Sequence, residues 1–442
     1  MVNDRSFRKA GLKVGTSGRA TGWNRRGFLT AAGTGAIAGL AGCLGGEETD
    51  EEVVTIGHLA PLELDMGIGS ERSAEIAVDE INDDGGIMDT EVELISVDTA
   101  ATPSEGTRQA EDLVGQENVD VLIGAHASEV ALAIVEFVAD AGIPFLTTGT
   151  AAPEIFTQHT AEEYDTYKMV FRPGPTNSAY QVDELGEYAE YLNEEHGWTT
   201  FAQLAEEAAW TGFFSENLPP ELEERGFDVP YNERIASDTD DYTPILNSIE
   251  GEGADAIFKQ FSLLPGTGML SSWRANEYPF GQEGVSVPSM SPEYWDDTNG
   301  GCEFETTAES GAGGVAEITD RTGPFVEEYA ARHAEERPTA PMYMGFSTYD
   351  AIYIYKEAVE RAGTFDYREE LDVIADELLE TDFTGTVGPV RFGEPDSQFP
   401  NDVIGGEEGA QFPVTQWIDG GKECVFPREF ATADHQLADW LE

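Results

Sequence analysis

Cysteine, histidine and basic residues are scarce in this 442-residue sequence. The three cysteines form no Cys-x-x-Cys pair and the six histidines are scattered, so the sequence supports neither a zinc site nor a dithiol redox site. Only 24 Lys and Arg residues stand against 86 Asp and Glu residues, which gives a net charge of −62. A surface this acidic repels phosphate, and nucleic acid is therefore not expected as a partner.

Signatures of nucleotide binding and of hydrolysis are absent as well. No G-x-G-x-x-G follows the first predicted strand, and neither a G-x-x-x-x-G-K-[ST] loop nor a G-x-S-x-G elbow occurs. Acidic pairs such as Asp240-Asp241 and Asp296-Asp297 are expected by chance in so acidic a chain, and no orienting histidine accompanies them. The sequence predicts no cofactor, no metal and no enzymatic activity.

The acidic excess is spread along the whole chain instead of forming one tail. Such a surface repels itself strongly in dilute salt, whereas at molar salt the Debye length falls to about 3 Å and screens the repulsion. This pattern is typical of halophilic proteins. A dedicated cation-binding surface is the alternative.

The first 42 residues have the pattern of an export leader. Arg25 and Arg26, followed by Gly-Phe-Leu, resemble a twin-arginine signal, and the Gly/Ala-rich run behind them is too short and too polar to span a membrane. The tetrad LAGC, which ends at Cys43, resembles a lipobox, in which the cysteine is lipidated. An ordinary secretory leader and a structural cysteine are the alternatives. We expect a lipid anchor at the extracellular face of the cell membrane, with residues 43–52 as an acidic tether.

From residue 53 onward, predicted strands and helices alternate. β-Branched apolar runs at 53–59, 91–98 and 119–125 predict strands, and segments with helical spacing of apolar residues lie between them. The alternation restarts after Pro175. Alternation of this kind predicts an α/β fold with parallel sheets, here in two lobes of similar size.

Several stretches resemble one known family, the Leu/Ile/Val-binding proteins, which are substrate-binding lipoproteins of branched-chain amino acid ABC transporters; the leader and the charge are of the haloarchaeal type. The matching stretches are TIGHLAPL, AEIAVDEINDDGGI, VDVLIGAHAS, AGIPFLTTGTAAPEI, VFRPGPTN, DDYTPILNSIEGEGADAIF, YDAIYIYKEAVERAG and TGTVGPVRF. The resemblance implies the type I periplasmic-binding fold, with two Rossmann-like lobes joined by three crossings and a membrane permease as partner. We expect one lobe over 53–172 plus about 312–380, and the other over 176–297 plus about 384–427.

The same resemblance implies which residues hold the polar head group of a ligand. Ser128, at the start of a predicted helix, matches a serine that binds the α-carboxylate, and a helix N-terminus suits an anion. Gly149 matches a residue whose carbonyl accepts from the ammonium, and Glu293 matches an acid that pairs with it. The family's threonine is replaced by Ala151, with Thr150 beside it. A helix cap, a plain turn and a surface acid are the respective alternatives.

Three further residues are predicted to surround the apolar part of the ligand. Trp210 matches an aromatic residue that closes over it, Met66 matches a residue of the side-chain pocket, and Tyr349 is a candidate from a late helix. Core packing is the alternative for Trp210 and Tyr349.

Two questions stay open at the level of sequence. Cys302 and Cys424 are compatible with a disulfide in an exported chain, or with two free or buried thiols. The expected function is a receptor for a branched-chain or similar amino acid. A receptor for urea or short amides, or a sensory ligand-binding protein on the same fold, is the alternative, and the loss of the threonine at Ala151 suits a changed head group.

Overall fold

The computed structural model describes residues 53–406 and 409–441. The predicted export signal at Arg25 and Arg26, the lipidation site at Cys43 and the tether over 43–52 lie outside the described residues and stay predictions. In the part of the chain that is described, no helix is both long enough and apolar enough to cross a membrane.

Lobe 1 is built on a five-stranded parallel sheet with the strand order β2-β1-β3-β4-β5. Four of its strands are buried apolar runs, as a parallel sheet covered on both faces requires, whereas the edge strand β2 is only partly buried. They are β1 (Val53–Ala60), β2 (Glu91–Asp98), β3 (Val121–His126), β4 (Phe145–Gly149) and β5 (Val170–Phe171). The helices are α1 (Asp65–Asp83), α2 (Pro103–Asp112), α3 (Ser128–Ala141), α4 (Tyr164–Tyr167) and, from later in the chain, α11 (Thr322–His333), α12 (Met342–Ala362) and α13 (Tyr367–Leu379).

Lobe 2 contains a four-stranded parallel sheet, β7-β6-β8-β9, and an antiparallel sheet, β10-β13-β14. The strands are β6 (Thr200–Glu206), β7 (Asp228–Ile235), β8 (Ala256–Phe261), β9 (Gly281–Ser286), β10 (Thr306–Ala308), β13 (Val414–Ile418) and β14 (Gly421–Phe426). The helices are α5 (Ser178–His196), α6 (Ala209–Glu224), α7 (Thr243–Glu252), α8 (Thr267–Asn276), α9 (Val287–Met290) and α10 (Tyr294–Asp297).

Local sequence signals explain where α5 begins and ends. The side chain of Asn177 caps the helix by accepting from the backbone N–H groups of Ala179 and Tyr180, at 2.8 and 3.2 Å. Gly197, with φ of 74°, ends it in the left-handed conformation that glycine adopts without strain. The helix therefore occupies the segment in which helical periodicity restarts after Pro175.

The predicted α/β fold with two lobes is confirmed. The chain passes between the lobes three times: after β5, between β10 and α11, and between β12 (Gly388–Val390) and β13. One expected boundary differs. Residues from about 384 were assigned to lobe 2, but β11 (Phe383–Gly385) and β12 form a hairpin whose apolar side chains lie in the core of lobe 1. The side chains of Phe383 and Val390 are buried against that core, and the hairpin therefore belongs to lobe 1.

Candidate functional site

A cavity lies between the lobes, with about 430 Å³ of space between the protein atoms, part of it open to solvent. Its lobe 1 wall comes from the turns that follow β3 and β4, and its lobe 2 wall comes from the start of α6 and the end of β9. Ligands of parallel α/β sheets bind at the carboxyl ends of the strands. The cavity therefore lies where a ligand of this fold is expected.

The turn from β3 into α3 has an unusual backbone. Ala125 and Ala127 have φ of 68° and 67°, a region that residues with a Cβ seldom occupy, and they flank His126. Ala127 is the N-cap of α3 and has no side chain that can cap it. The N–H of Val130 donates to the carbonyl of Ala127 at 2.9 Å, whereas the N–H groups of Ser128 and Glu129 come before the first bonds of the helix and remain available as donors.

Ser128 is the first residue of α3 and lines the cavity. Its Oγ accepts from the backbone N–H of Ala152, at 3.1 Å, and makes no capping bond. The alternative interpretation of Ser128 as a helix cap is therefore wrong. Its hydroxyl proton is left free to donate to a ligand.

His126 and Tyr343 form a buried pair in the cavity wall. Nδ1 of His126 lies 2.7 Å from the Tyr343 hydroxyl, whereas Nε2 has no hydrogen-bond partner and is buried. Burial lowers the pKa of His126 to about 4, so the ring is neutral at pH 7. Neither residue was among the predicted site residues. The only sequence signal was a histidine at the end of a buried strand.

Gly149 and Ala151 also line the cavity. A Cβ at position 149 would lie 2.7 Å from the carbonyl oxygen of Ala125, so only glycine fits between the ends of β3 and β4. Thr150 is buried with its Oγ1 3.0 Å from Oγ1 of Thr147, and it is not among the lining residues. The structure therefore brings Gly149 and Ala151 to the cavity together with Ser128, and leaves Thr150 behind them.

Arg172 holds this turn in place. Its guanidinium forms a fully buried ion pair with Asp402 and donates to the carbonyl oxygens of Thr150 and Ala152, at 3.2 and 3.0 Å. Sequence reasoning missed the pair, because its two residues are 230 positions apart. The only signal for it was an arginine directly after an apolar strand.

The lobe 2 wall is mainly apolar. Trp210 lies on it, at the first turn of α6, together with Val285, Val287 and Met290. Two side chains of this wall have a buried polar atom without a partner among the described residues: Trp210 through Nε1, and Gln181 of α5 through Oε1. Nε2 of Gln181 donates to the carbonyl of Thr176 at 2.6 Å. The predicted position of Trp210 over the interlobe space agrees with this wall.

Three predicted site residues lie elsewhere. Glu293 accepts from the backbone N–H and hydroxyl of Thr339, at 2.9 and 2.8 Å, so its carboxylate is used between the lobes and not in the cavity. Tyr349 is inside lobe 1, where its hydroxyl donates to Glu80 at 2.6 Å. Met66 packs in the interlobe apolar cluster but does not line the cavity.

Charged residues instead meet at the rim of the cleft. Arg337, in the loop before α12, pairs with Asp297 of lobe 2, with Nη1 2.9 Å from Oδ1, and its Nε is 2.8 Å from Oδ2 of Asp65. Ser291 of lobe 2 donates to the same Asp65 oxygen, at 3.0 Å. These bonds connect the two lobes outside the cavity.

The two cysteines in the described region are free thiols. Cys302 and Cys424 are buried in different apolar clusters, and burial raises the pKa of each to about 12. The disulfide expected as one of two alternatives is therefore not formed. Within residues 53–406 and 409–441, no group of three or more His, Cys, Asp or Glu side chains could hold a metal ion.

Two α/β lobes with a cavity at their strand ends define the class of two-lobed solute-binding proteins. The chain belongs to the periplasmic binding protein family, whose model matches residues 53–408. It is 23% identical over 356 residues to the Leu/Ile/Val-binding protein BraC3 of Rhizobium johnstonii, covering 77% of this chain and 88% of BraC3.

Solved structures show the same fold. A putative branched-chain amino acid ABC transporter protein from Silicibacter pomeroyi has a TM-score of 0.74 at 22% identity, covering 88% of this chain and 100% of that one. The leucine-binding protein LivK of Thermotoga maritima has a TM-score of 0.69 at 21% identity, covering 84% and 97%.

Proposed function

We propose that this protein is the extracellular solute-binding component of an ABC importer of the branched-chain amino acid type. It captures a small solute between its lobes, without changing it chemically, and delivers it to a permease in the membrane. A lipid at Cys43, attached after twin-arginine export, keeps it at the outer face of the cell membrane. The observation that carries the proposal is the interlobe cavity, with Ser128 and the N-terminus of α3 on one wall and Trp210 on the other.

The chemistry of the cavity supports binding without catalysis. It combines a mainly apolar lining with a few convergent polar groups, which is typical of small-ligand sites. Family relationships support transport: BraC3 is described as a Leu/Ile/Val-binding protein, and the Silicibacter protein as a branched-chain amino acid transporter. The rims of the two lobes are the surface that a permease would contact.

A receptor for urea or short amides is the second candidate. One observation favours it over an amino acid receptor: Ala151, where a threonine is expected, lines the cavity without offering a hydroxyl.

A thermal-shift screen of the full chain in molar salt tests the proposal. The solutes are amino acids, their des-amino carboxylates, short amides and urea, each with a product assay for turnover. A solute that binds only the folded state stabilises it by about 2.7 kcal/mol at a hundredfold excess over Kd. Stabilisation that is lost in Ser128→Ala, with the solute recovered unchanged, supports the proposal. Chemical conversion of a bound solute contradicts the proposal. A screen in which none of the solutes binds also contradicts it.

A further inference from the structure

The lobe 1 end of the cavity presents hydrogen-bond donors. Ser128 Oγ accepts from the N–H of Ala152, so its own proton points to another acceptor. The uncapped start of α3 adds backbone N–H groups and the positive end of the helix dipole. The buried Nε2 of His126, a lining residue at the same end, has no partner within 53–406 and 409–441.

The Tyr343 hydroxyl connects His126 to the end of β4. It lies 2.7 Å from Nδ1 of His126 and 3.3 Å from the carbonyl oxygen of Gly149. These two contacts hold the imidazole ring against the carboxyl ends of β3 and β4.

The opposite end of the cavity offers an acceptor. Gln181 is buried, and its amide orientation is fixed because Nε2 donates to the carbonyl of Thr176. Oε1 of this lining residue is a buried acceptor without a partner among the described residues. Between the two ends, the walls are aromatic and aliphatic, with Trp210, Val287 and Phe412 among the lining residues.

No lining side chain in the part of the chain that the structure describes carries a negative charge. None of the fourteen lining residues is Asp, Glu, Lys or Arg. The acids near it are engaged by other groups: Glu206 accepts from the N–H groups of Leu263 and Leu264, and Glu129 accepts from that of Ala209. An ammonium group buried here would have no ionic partner, and burial of an unpaired charge is strongly unfavourable.

We infer that, if the proposed solute-binding function holds, the cavity selects an apolar monocarboxylate that carries no ammonium group. The carboxylate accepts from Ser128 and from the start of α3. The apolar body fills the space between the lobes. A hydroxyl or amide N–H at the far end of the solute donates to Gln181.

Matched solutes test this directly by titration calorimetry on the full chain in molar salt. Leucine and 4-methylpentanoate differ only in the ammonium group, as do phenylalanine and 3-phenylpropanoate. We expect the des-amino acid of each pair to bind at least about tenfold more tightly, which corresponds to about 1.4 kcal/mol. Ser128→Ala is expected to weaken the carboxylates by about tenfold and to leave their neutral primary amides nearly unchanged.

A gain-of-function variant provides a second measurement. Val287→Glu places a carboxylate on the lobe 2 wall and is expected to reverse the order, so that leucine binds more tightly than 4-methylpentanoate. Val287→Gln, of the same size but neutral, is the control and should keep the original order.

The outcomes separate this inference from the proposed function. If the unmodified protein binds leucine more tightly than 4-methylpentanoate, the inference is wrong but the proposed solute-binding function still holds. Binding of amides or urea alone leads to the same conclusion. If no solute of any class binds, the inference and the proposed function both fail.

Discussion

The two walls of the cavity have different chemistry although both lobes are α/β units with parallel sheets. The lobe 1 wall offers donors from Ser128 and the start of α3, whereas the lobe 2 wall is apolar except for Gln181, Ser262 and the indole N–H of Trp210. Under the proposed function, one lobe would fix the polar head of the solute and the other would cover its apolar body. Selectivity would then lie mainly in the turn between β3 and α3.

The polar wall depends on buried charge. Arg172 and Asp402 are fully buried and pair with each other, and the same guanidinium holds the carbonyls of Thr150 and Ala152. The apolar wall has a counterpart, because Lys422 pairs with the buried Glu309 at 2.8 Å and donates to the carbonyl of the lining residue Met290 at 2.9 Å. Trp210 packs edge-on against Phe214, and its carbonyl accepts from the Ser178 hydroxyl at 2.9 Å. The following predictions test the contribution of each wall.

The largest effect is expected from Arg172→Met. It leaves Asp402 charged and unpaired in the interior and frees the turn that supports Ser128, so we expect a loss of about 3–5 kcal/mol in the free energy of unfolding. Urea unfolding in molar salt measures it. The double variant Arg172→Met/Asp402→Leu removes both charges and should recover a large part of the loss. A loss below about 1 kcal/mol in the single variant would show that the ion pair does not support the wall.

The second prediction concerns pH and His126. Its pKa is about 4 in the folded protein against an ordinary 6.5, so between these values the unfolded chain binds a proton that the folded one does not, and stability falls as pH falls. Above pH 6.5 the histidine contributes no pH dependence, and below about 4 the loss is constant. Between pH 7.5 and 4.5, the free energy of unfolding of the protein should fall by about 2–3 kcal/mol more than that of His126→Gln.

The measurement is guanidinium chloride unfolding of the ligand-free protein and of His126→Gln at both pH values. The comparison cancels the acidic groups that titrate in the same range, since these are common to both proteins. Parallel pH profiles of the two proteins would mean that His126 is not held neutral by burial.

The third prediction addresses the apolar wall. Trp210→Ala removes aromatic area over the solute, and we expect Kd to rise roughly 10- to 100-fold, or about 1.4–2.7 kcal/mol. Trp210→Phe keeps a ring and should lose less than Trp210→Ala. Calorimetric titration with the best solute measures both, with the melting temperature as a check on folding. If the unmodified protein and both variants bind the solute with equal affinity, Trp210 contributes only to core packing.

The smallest effect is expected at the rim. Arg337 is about half exposed, so Arg337→Gln should change the free energy of unfolding by less than about 1 kcal/mol, and molar salt screens part of that. Because its pairs connect the lobes, the change should appear in solute dissociation as a rate increase of a few fold. Stopped-flow dissociation measures the rate, with Arg361→Gln, which pairs within lobe 1, as the control. If both variants release the solute at the same rate, the ion pairs of Arg337 do not contribute to holding the lobes closed.

The site was only partly predictable, and particular residues show why. Ser128, Gly149, Ala151 and Trp210 lie at the cavity because they are attached to strand ends and helix starts whose order along the chain fixes their place. Glu293 and Tyr349 lie elsewhere, since loop paths and helix rotation decide where their side chains point. His126, Tyr343 and Gln181 come from three separate segments, and no spacing in the sequence connects them.

By itself, the sequence determined the α/β alternation, the division into two lobes and the acidic surface, because periodicity and composition are local properties that need no partner. Only the tertiary structure decided which polar groups meet. It leaves no acidic residue of 53–406 and 409–441 in the lining of the cavity, pairs Arg172 with Asp402 across 230 positions, and leaves His126 with a nitrogen that has no partner in those ranges. Burial and long-range packing decide how strongly these charges and hydrogen bonds interact. Both depend on contacts between distant segments, so no single segment of the sequence predicts them.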